Sequence, residues 1–291
     1  MRAQLAEKRV GRTKLIGRSL AGEETVIAAP ELNVCFDIGR APRQAIPIDN
    51  VCLSHGHIDH AANIAYYFSH RQFIGTSAGR LIVHRGLARH FQALMGVWAD
   101  IEGRPTPASI EGVLPGDEVR LRRDLLVRAF AVNHEARSLG FSVIEERFKL
   151  KPEFANRTGP QLVELKRQGV AIENRVEIPV IAYCGDTADG EHFDLDSVRN
   201  AEVLLLECTF YDPAHVVRAR KGRHLHVRDL PGVLRRLRCP HVVLTHVTHR
   251  TPLREARRML RDVVDDNDLH RVTFFMDRPT RAASIPTPQD S

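Results

Sequence analysis

A histidine-rich loop is the part of the sequence whose residue types and spacing most directly indicate chemistry. Residues 54–60 read SHGHIDH and directly follow an apolar run at residues 51–53. Three imidazoles and one carboxylate on so short a turn, with Gly56 to relax the backbone, converge on one point only if something binds there. A solvated histidine-rich loop, the alternative, agrees less well with the strand-like run before it and the helical pattern after it. We therefore predict a metal-binding loop.

Four more candidate ligands stand at the ends of other apolar runs. They are Asp37, His134, Asp186 and His246. Any one of them alone is more often a turn or capping residue. Imidazole and carboxylate groups without a thiolate suit zinc, with manganese and iron as open alternatives. The five cysteines form no Cys-x-x-Cys pair, so we interpret them as reduced structural thiols.

Short apolar runs rich in Val, Ile and Leu must position these residues. We predict buried strands at residues 25–29, 33–36, 51–54, 125–132, 178–183, 202–206, 241–245 and 272–276. Helical spacing of apolar residues occurs at 87–98 and 253–263, and a polar stretch at 149–173 indicates a surface excursion. The pattern predicts one α/β domain over residues 1–281, with helices outside the sheet, and a disordered tail at 282–291.

Length and composition are those of a globular protein, with 291 residues and a net charge of +6. The first 20 residues are basic and contain no long apolar run, so we expect neither a signal peptide nor a membrane span. This predicts a cytoplasmic protein. The positive charge gives mild support for an anionic partner such as a nucleic acid.

Taken together and in this order, the candidate ligands resemble the motifs of the metallo-β-lactamase superfamily. The resemblance implies an αββα sandwich, in which two mixed β-sheets are flanked by helices and hold two divalent metal ions, here most simply Zn²⁺, at one edge. Its residue assignments follow: the first metal would be bound by His55, His57 and His134, the second by Asp59, His60 and His246, and both by Asp186. Asp37 would brace the histidine loop.

Two later motifs resemble ribonuclease Z, the family that trims the 3′ end of precursor tRNA. The sequence LLLECTF at residues 204–210 contains Glu207, and RHLH at 223–226 contains His224. In that family a glutamate and a histidine form a pair beside the metals, and the histidine protonates the leaving oxygen. Gly159, Pro160, Lys166 and Gly169 are similar to the segment after the family's tRNA-binding arm, and the arm itself is expected to be short or missing here.

The resemblance implies a phosphodiesterase that cleaves RNA with a hydroxide held by two metal ions. Asp59 would help to take the proton from the nucleophile, and His224, oriented by Glu207, would protonate the departing 3′ oxygen. Basic residues near His224 would attract the RNA backbone, and we name Arg220, Lys221, Arg223 and Arg250 as candidate contacts. Without a structure, a solvated helix face explains such a charge run equally well. The resemblance also implies a homodimer.

Two alternatives stay open at the level of sequence. The same site could hydrolyse a cyclic nucleotide or another small molecule, and the shortened arm favours that interpretation. A protein of another class could bind nucleic acid and keep only a vestigial metal site, but the complete ligand set argues against it, because buried charges without their ion cost stability.

Overall fold

Two seven-stranded β-sheets stack face to face and are covered by helices on both outer sides. The computed structural model describes residues 5–277. The first sheet has the strand order β1-β2-β3-β4-β5-β6-β7, and the second has the order β14-β13-β12-β11-β10-β9-β8. The predicted αββα sandwich of two mixed sheets is therefore confirmed.

The strands of the first sheet are β1 (Ala6–Val10), β2 (Thr13–Leu20), β3 (Glu24–Ala29), β4 (Val34–Phe36), β5 (Asn50–Cys52), β6 (Arg80–His84) and β7 (Ser109–Val113). Those of the second are β8 (Glu118–Arg122), β9 (Leu125–Ala131), β10 (Leu139–Leu150), β11 (Glu173–Tyr183), β12 (Val203–Glu207), β13 (His241–Thr245) and β14 (Val272–Phe274). The helices are α1 (Ile58–Ala61), α2 (Ile64–Phe73), α3 (Arg85–Glu102), α4 (Gly159–Arg167), α5 (Asp196–Arg199), α6 (Val216–Gly222), α7 (Leu230–Arg236), α8 (Leu253–Arg261) and α9 (Asp266–Leu269).

Each sheet is antiparallel in one half and parallel in the other. Strands β1 to β4 pair antiparallel and β4 to β7 parallel, whereas β8 to β11 pair antiparallel and β11 to β14 parallel. Parallel strands end at a common edge, so the loops that follow them gather there. This topology brings together the loops after β4, β5, β11, β12 and β13, which carry most of the candidate ligands.

Three apolar layers stabilise the sandwich. The inner faces of the sheets form the central layer, with Leu15 and Phe36 opposite Phe141 and Tyr183. Helices α2 and α3 cover the outer face of the first sheet, and α5, α7 and α8 cover that of the second. Burial on both faces explains why the central strands consist of nearly continuous apolar runs.

The eight predicted strands are all present, and the two strongest helical patterns correspond to α3 and α8. Strands β1, β2, β6, β7, β8 and β10 were not predicted. All five cysteines are buried and unpaired, as expected. Among residues 5–277, no helix is long and apolar enough to cross a membrane. The predicted tail at 282–291 lies outside the described residues, and the single-domain boundary and cytoplasmic location stay predictions.

The predicted surface excursion is a two-stranded ribbon with a helix at its tip. Strand β10 pairs with β9 only as far as Glu145, and β11 pairs with β12 only at residues 181–183, but β10 and β11 pair with each other out to Leu150 and Glu173. The ribbon therefore extends beyond the sheet, and α4 lies in the connection between its strands. The predicted surface excursion is thus an ordered ribbon at residues 146–177, and the segment from Gly159 to Gly169 lies at its tip.

Candidate metal centre

The predicted ligands come together at the edge where the parallel strands end. The ligand atoms of His55, His57, His134 and Asp186 lie within 4.8 Å of one another, and those of Asp59, His60 and His246 form a second such group. Asp186 Oδ2 is 3.7 Å from His55 Nε2 and 3.4 Å from His60 Nε2, so this carboxylate lies between the two groups. The structure thus brings together every residue that the sequence proposed as a ligand.

Asp37 orients the histidine loop through buried hydrogen bonds. Its Oδ2 accepts hydrogen bonds from His60 Nδ1 at 2.7 Å and from Ser54 Oγ at 2.8 Å, and its Oδ1 accepts one from the Ser54 amide at 2.7 Å. Ser54 Oγ in turn lies 3.0 Å from His55 Nδ1, and the Tyr183 hydroxyl also donates to Asp37. Both histidines therefore use Nδ1 for these bonds and direct Nε2 into the centre.

Two other histidines are held in the same way. His134 Nδ1 lies 3.2 Å from the carbonyl oxygen of Arg223, and the Arg223 guanidinium donates back to the carbonyl of His134. His246 Nδ1 lies 2.9 Å from the hydroxyl of Thr209. A hydrogen bond at Nδ1 fixes the tautomer in which Nε2 carries a free lone pair, as metal-binding imidazoles require.

Buried polar atoms without partners show that a cation fits this centre. His55 Nε2, His134 Nε2 and Asp186 Oδ1 are buried and have no hydrogen-bond partner within the described residues. Such atoms cost stability unless a ligand compensates them. Three inward atoms of this kind, all of types that bind divalent ions, are the arrangement expected around a metal site.

The protonation states also favour a cation. Burial lowers the pKa of His55 and of His134, which keeps both rings neutral and able to donate a lone pair. Burial raises the pKa of Asp186, but the neighbouring His246 and His60 lower it more, so the carboxylate stays ionised. The neutral imidazoles of His55 and His134 beside an ionised carboxylate are donors suited to a divalent metal.

The loops reach the centre through unusual backbone geometry. Asp37 and His246 have positive φ angles of 58° and 57°, which are uncommon for residues other than glycine. Gly39 lets the loop after β4 approach α1, because a Cβ there would lie 1.7 Å from the carbonyl oxygen of Asp59. Such local strain is typical of functional sites, where the surrounding fold compensates its cost.

A second predicted element of the site, the pair of Glu207 and His224, lies beside the candidate ligands. Glu207 is fully buried at the end of β12, and its Oε1 accepts a hydrogen bond from His224 Nδ1 at 2.7 Å. Burial lowers the pKa of His224, but the charge of Glu207 more than offsets this and raises it to about 9. The ring of His224 stacks 5.6 Å from that of His246. A protonated imidazole thus borders the centre.

His224 also has the geometry of an additional ligand. Its ring nitrogen, Asp186 and His246 form a third group of atoms within 4.8 Å of one another. The geometry therefore allows two roles for this residue, proton donation and metal binding, and only the first was predicted from the sequence.

An open cleft of about 440 Å³ gives access to the centre. The turn between β2 and β3 forms one side, where the Gly22 amide donates to Asp59 Oδ2 at 2.8 Å. Phe210, Arg218 and Arg250 line other parts of it. An open cleft that contains two arginines can admit a polymeric anion as well as a small one.

The candidate substrate contacts differ in position. Arg250 lines the cleft, whereas Arg220 and Lys221 are exposed on α6 outside its lining. Arg223 donates one hydrogen bond to the carbonyl of His134 but is otherwise exposed, and it does not line the cleft. Arg218, which lies in the same basic stretch of sequence, lines the cleft with its guanidinium 6.0 Å from the ring of Phe210.

Sequence reasoning missed several residues that orient the site. Ser54 lies inside the histidine loop and Thr209 inside LECTF, so both stood in motifs that had been recognised, but nothing in the sequence showed their contacts. Nothing in the sequence near Tyr183 indicates a role in the site, because this residue ends an apolar run that predicts only a buried strand. Arg218 could have been chosen from the basic stretch only with knowledge of which face of α6 borders the cleft.

Comparisons with known proteins agree with this geometry. A family model described as "Beta-lactamase superfamily domain" matches residues 27–247. The chain is similar to the tRNase Z TRZ1 of Arabidopsis thaliana, with 30% identity over 243 residues that cover 82% of this chain and 86% of the relative. It is also 32% identical to the nuclear ribonuclease Z of Triticum aestivum over 160 residues, covering 55% of this chain and 91% of the relative.

Solved structures show the same fold. The short form of human tRNase Z superposes with a TM-score of 0.59 at 15% identity, covering 88% of this chain and 93% of the other. The metallo-β-lactamase fold protein YhfI from Bacillus subtilis gives the same TM-score and identity, covering 88% of this chain and 92% of the other. At such low identity these likenesses concern the architecture alone.

Proposed function

Because the chain belongs to the β-lactamase superfamily and, within it, to the ribonuclease Z hydrolases, we propose that it cleaves RNA at the 3′ end of precursor tRNA. The observation that carries this proposal is the Glu207–His224 pair, held at 2.7 Å beside the cluster of candidate ligands. A site that only bound metal, or only bound nucleic acid, would not need a charged acid of this kind.

We further propose that the site holds two divalent ions, most simply Zn²⁺, with His55, His57 and His134 on one, Asp59, His60 and His246 on the other, and Asp186 between them. When bound, the ions would supply an acidified water and neutralise the charge of the phosphate. Orphaned nitrogen atoms on His55 and His134 support this assignment, since an imidazole with a free inward lone pair suits Zn²⁺.

The chain's own residues would move the protons. Asp59 borders the cleft, so we assign it to take a proton from the attacking water. His224 would give its proton to the departing 3′ oxygen, and Glu207 would hold the imidazole charged and aimed. Asp37 and Tyr183 would act indirectly, by keeping His60 fixed while the substrate binds.

Cationic residues of the cleft would bind the RNA backbone. We assign Arg218 and Arg250 to this role because both line the cleft. A small phosphodiester would need few such contacts, whereas RNA would use several. Counterion release then makes the affinity for RNA depend steeply on salt.

Changing Arg218 and Arg250 together to glutamate is expected to raise KM for precursor tRNA by roughly 10-fold or more, with little change in kcat, and to flatten the salt dependence of binding. Hydrolysis of bis-nitrophenyl phosphate should change little. Arg235→Glu on α7, an exposed arginine outside the cleft, is the matched control. A flat salt dependence in the unaltered protein would instead favour the small-substrate alternative.

The predicted homodimer has a suitable surface on the helices of the first sheet. We propose that an apolar face of α2 and α3 packs against a second copy of the chain. Its large exposed side chains are Tyr66, Phe73, Ile74, Leu94, Val97, Trp98 and Ile101. Arg89 and Asp100 lie toward opposite ends of α3, so an antiparallel pair of these helices about a two-fold axis would match opposite charges. Exposed apolar side chains at helical spacing, here Leu94, Val97, Trp98 and Ile101 on α3, are typical of interaction sites.

Trp98 makes the dimer measurable, because it is the only tryptophan of the chain. We expect twice the chain mass in sedimentation, and a red shift of tryptophan emission when dilution separates the subunits. Ile101→Glu should give a monomer at all concentrations. Val163→Glu on α4 is the matched control, since Val163 and Ile101 are 68% and 66% exposed. A monomeric unaltered protein, or a dimer that survives Ile101→Glu, would contradict this assignment.

A further inference from the structure

One threonine hydroxyl touches both halves of the candidate site. Thr209 lies just after β12 and is 3% exposed. Its Oγ1 is 2.8 Å from Glu207 Oε2 and 2.9 Å from His246 Nδ1. The first partner belongs to the proton-donating pair, and the second belongs to the candidate metal ligands.

The directions of these hydrogen bonds follow from the number of protons available. A hydroxyl has one proton, and an ionised carboxylate can only accept, so Thr209 donates to Glu207. The hydroxyl must then accept from His246, which requires the proton of that imidazole to be on Nδ1. The free lone pair of His246 is therefore on Nε2, which lies 3.3 Å from His60 Nε2 and 3.5 Å from Asp59 Oδ2.

We propose that Thr209 is a positioning residue that fixes the tautomer of His246 for metal binding and couples this ligand to the Glu207–His224 pair. The Thr209 hydroxyl thus orients a candidate ligand on the second sheet as Asp37 orients candidate ligands on the first. Asp37 bonds directly to His60 and contacts His55 through Ser54. The half of the inference that concerns the pair rests on the proposed function, and the half that concerns metal binding does not.

The position of Glu207 supports the coupling. Its Oε2 accepts from both the amide and the hydroxyl of Thr209, at 2.9 and 2.8 Å, while its Oε1 accepts from His224. Removing the hydroxyl leaves Oε2 with a single donor, whereas Oε1 keeps His224 and the amides of Thr187 and Leu225. It also removes the 3.4 Å contact between the hydroxyl and His224 Nδ1, which links Thr209 directly to the pair. The His246 N–H would lose its 2.9 Å partner in the same step and keep only the more distant Asp186 Oδ1, at 3.4 Å.

The metal half is tested with Thr209→Val, which keeps the shape of the side chain but lacks the hydroxyl. Zn²⁺ affinity is measured on metal-free protein by competition with a chromophoric chelator, so no substrate or activity is involved. We expect the affinity of one of two sites to fall by about 10–100-fold, the usual effect of losing a group that orients a metal-binding histidine. Thr209→Ser, which restores the hydroxyl, should recover the affinity.

The second half is tested at saturating Zn²⁺, where the metal defect is removed. Thr209→Val should then lower the kcat for precursor tRNA by about 10-fold or more beyond any loss on bis-nitrophenyl phosphate, whose leaving group needs no proton. Thr209→Ser should restore the ratio of the two activities. A purely structural role would reduce both activities together.

Thr13→Val is the matched control, because Thr13 in β2 is also buried, with 2% of its surface exposed. It follows Arg12, whose amide donates to Glu202, and Glu202 stands at the opposite end of β12 from Glu207. It should leave both readouts unchanged. Unaltered Zn²⁺ affinity in folded Thr209→Val protein would overturn the metal half, and equal losses on the two substrates would overturn the coupling. If the unaltered chain bound Zn²⁺ but cleaved no RNA, the proposed function would fail while the metal half could still hold.

Discussion

Replacing His224 with alanine is expected to reduce cleavage of precursor tRNA by about 10²–10⁴-fold while sparing bis-nitrophenyl phosphate. A ribose 3′ oxygen leaves as a strongly basic alkoxide, so its departure needs a proton in the transition state. Nitrophenolate is weakly basic and leaves without one. The loss corresponds to about 3–5 kcal/mol of transition-state stabilisation on one substrate alone.

Glu207→Gln should show the same selectivity in a milder form, because it removes the charge that keeps the imidazole protonated. His226→Ala is the matched control. The ring nitrogens of His226 contact the Asp212 carbonyl at 3.0 Å and the Arg228 amide at 3.2 Å, so its loss should affect stability but leave the ratio of activities unchanged.

The metal content of the His224→Ala protein distinguishes between the two roles that the geometry allows for His224, proton donation and metal binding. If His224→Ala retains the full complement of metal and loses only RNA cleavage, the residue is the acid. If the metal is lost as well, or both substrates lose activity in parallel, His224 is a ligand and the mechanism assigned to it is wrong.

Asp186→Ala is expected to have the largest effect of all on metal content. The carboxylate lies between both groups of ligands, at 3.7 Å from His55 Nε2 and 3.4 Å from His60 Nε2. Its loss should release both ions, whereas His55→Ala should weaken mainly one. Activity on RNA and on bis-nitrophenyl phosphate should both fall by at least about 10³-fold, because the ions serve every substrate.

The matched control for this change lies on the same loop. Asp189 is exposed and pairs with Arg236 at 2.7 Å, so Asp189→Ala should keep the metals and the activity. Circular dichroism should show that the Asp186→Ala protein is folded, since a core of this size does not depend on the metal. Metal-stripped Asp186→Ala protein with full activity would end the proposal of a metal-dependent hydrolase.

The sequence was sufficient to predict strands with continuous apolar residues, but not strands in which charged or partly exposed residues interrupt that pattern. Strands such as β12 and β13 are buried on both faces and therefore appear as unbroken apolar runs. Strand β2 alternates buried and partly buried residues, and β8 has mostly charged ones, so neither resembles such a run. Strand β10 was missed because its second half leaves the sheet and becomes the charged ribbon.

The ligands could be predicted because each belongs to a short motif at the end of a strand. The residues that orient them could not, since Tyr183 reaches Asp37 and Arg223 reaches His134 across large distances in sequence. Such contacts depend on the loop geometry, including the positive φ angles of Asp37 and His246. The same limit applied to Arg218, whose position depends on how α6 packs.

The most direct test is cleavage of a precursor tRNA that carries a 3′ trailer, with the product end mapped and the metal controlled. We expect a single cut at the start of the trailer that leaves a 3′ hydroxyl on the tRNA, is abolished by chelation and is restored by Zn²⁺. Single-stranded DNA and cyclic nucleotides, assayed in parallel, should be poor substrates. Intact RNA in the presence of fully metal-loaded protein, together with rapid turnover of a cyclic nucleotide or another small phosphodiester, would contradict the proposed function.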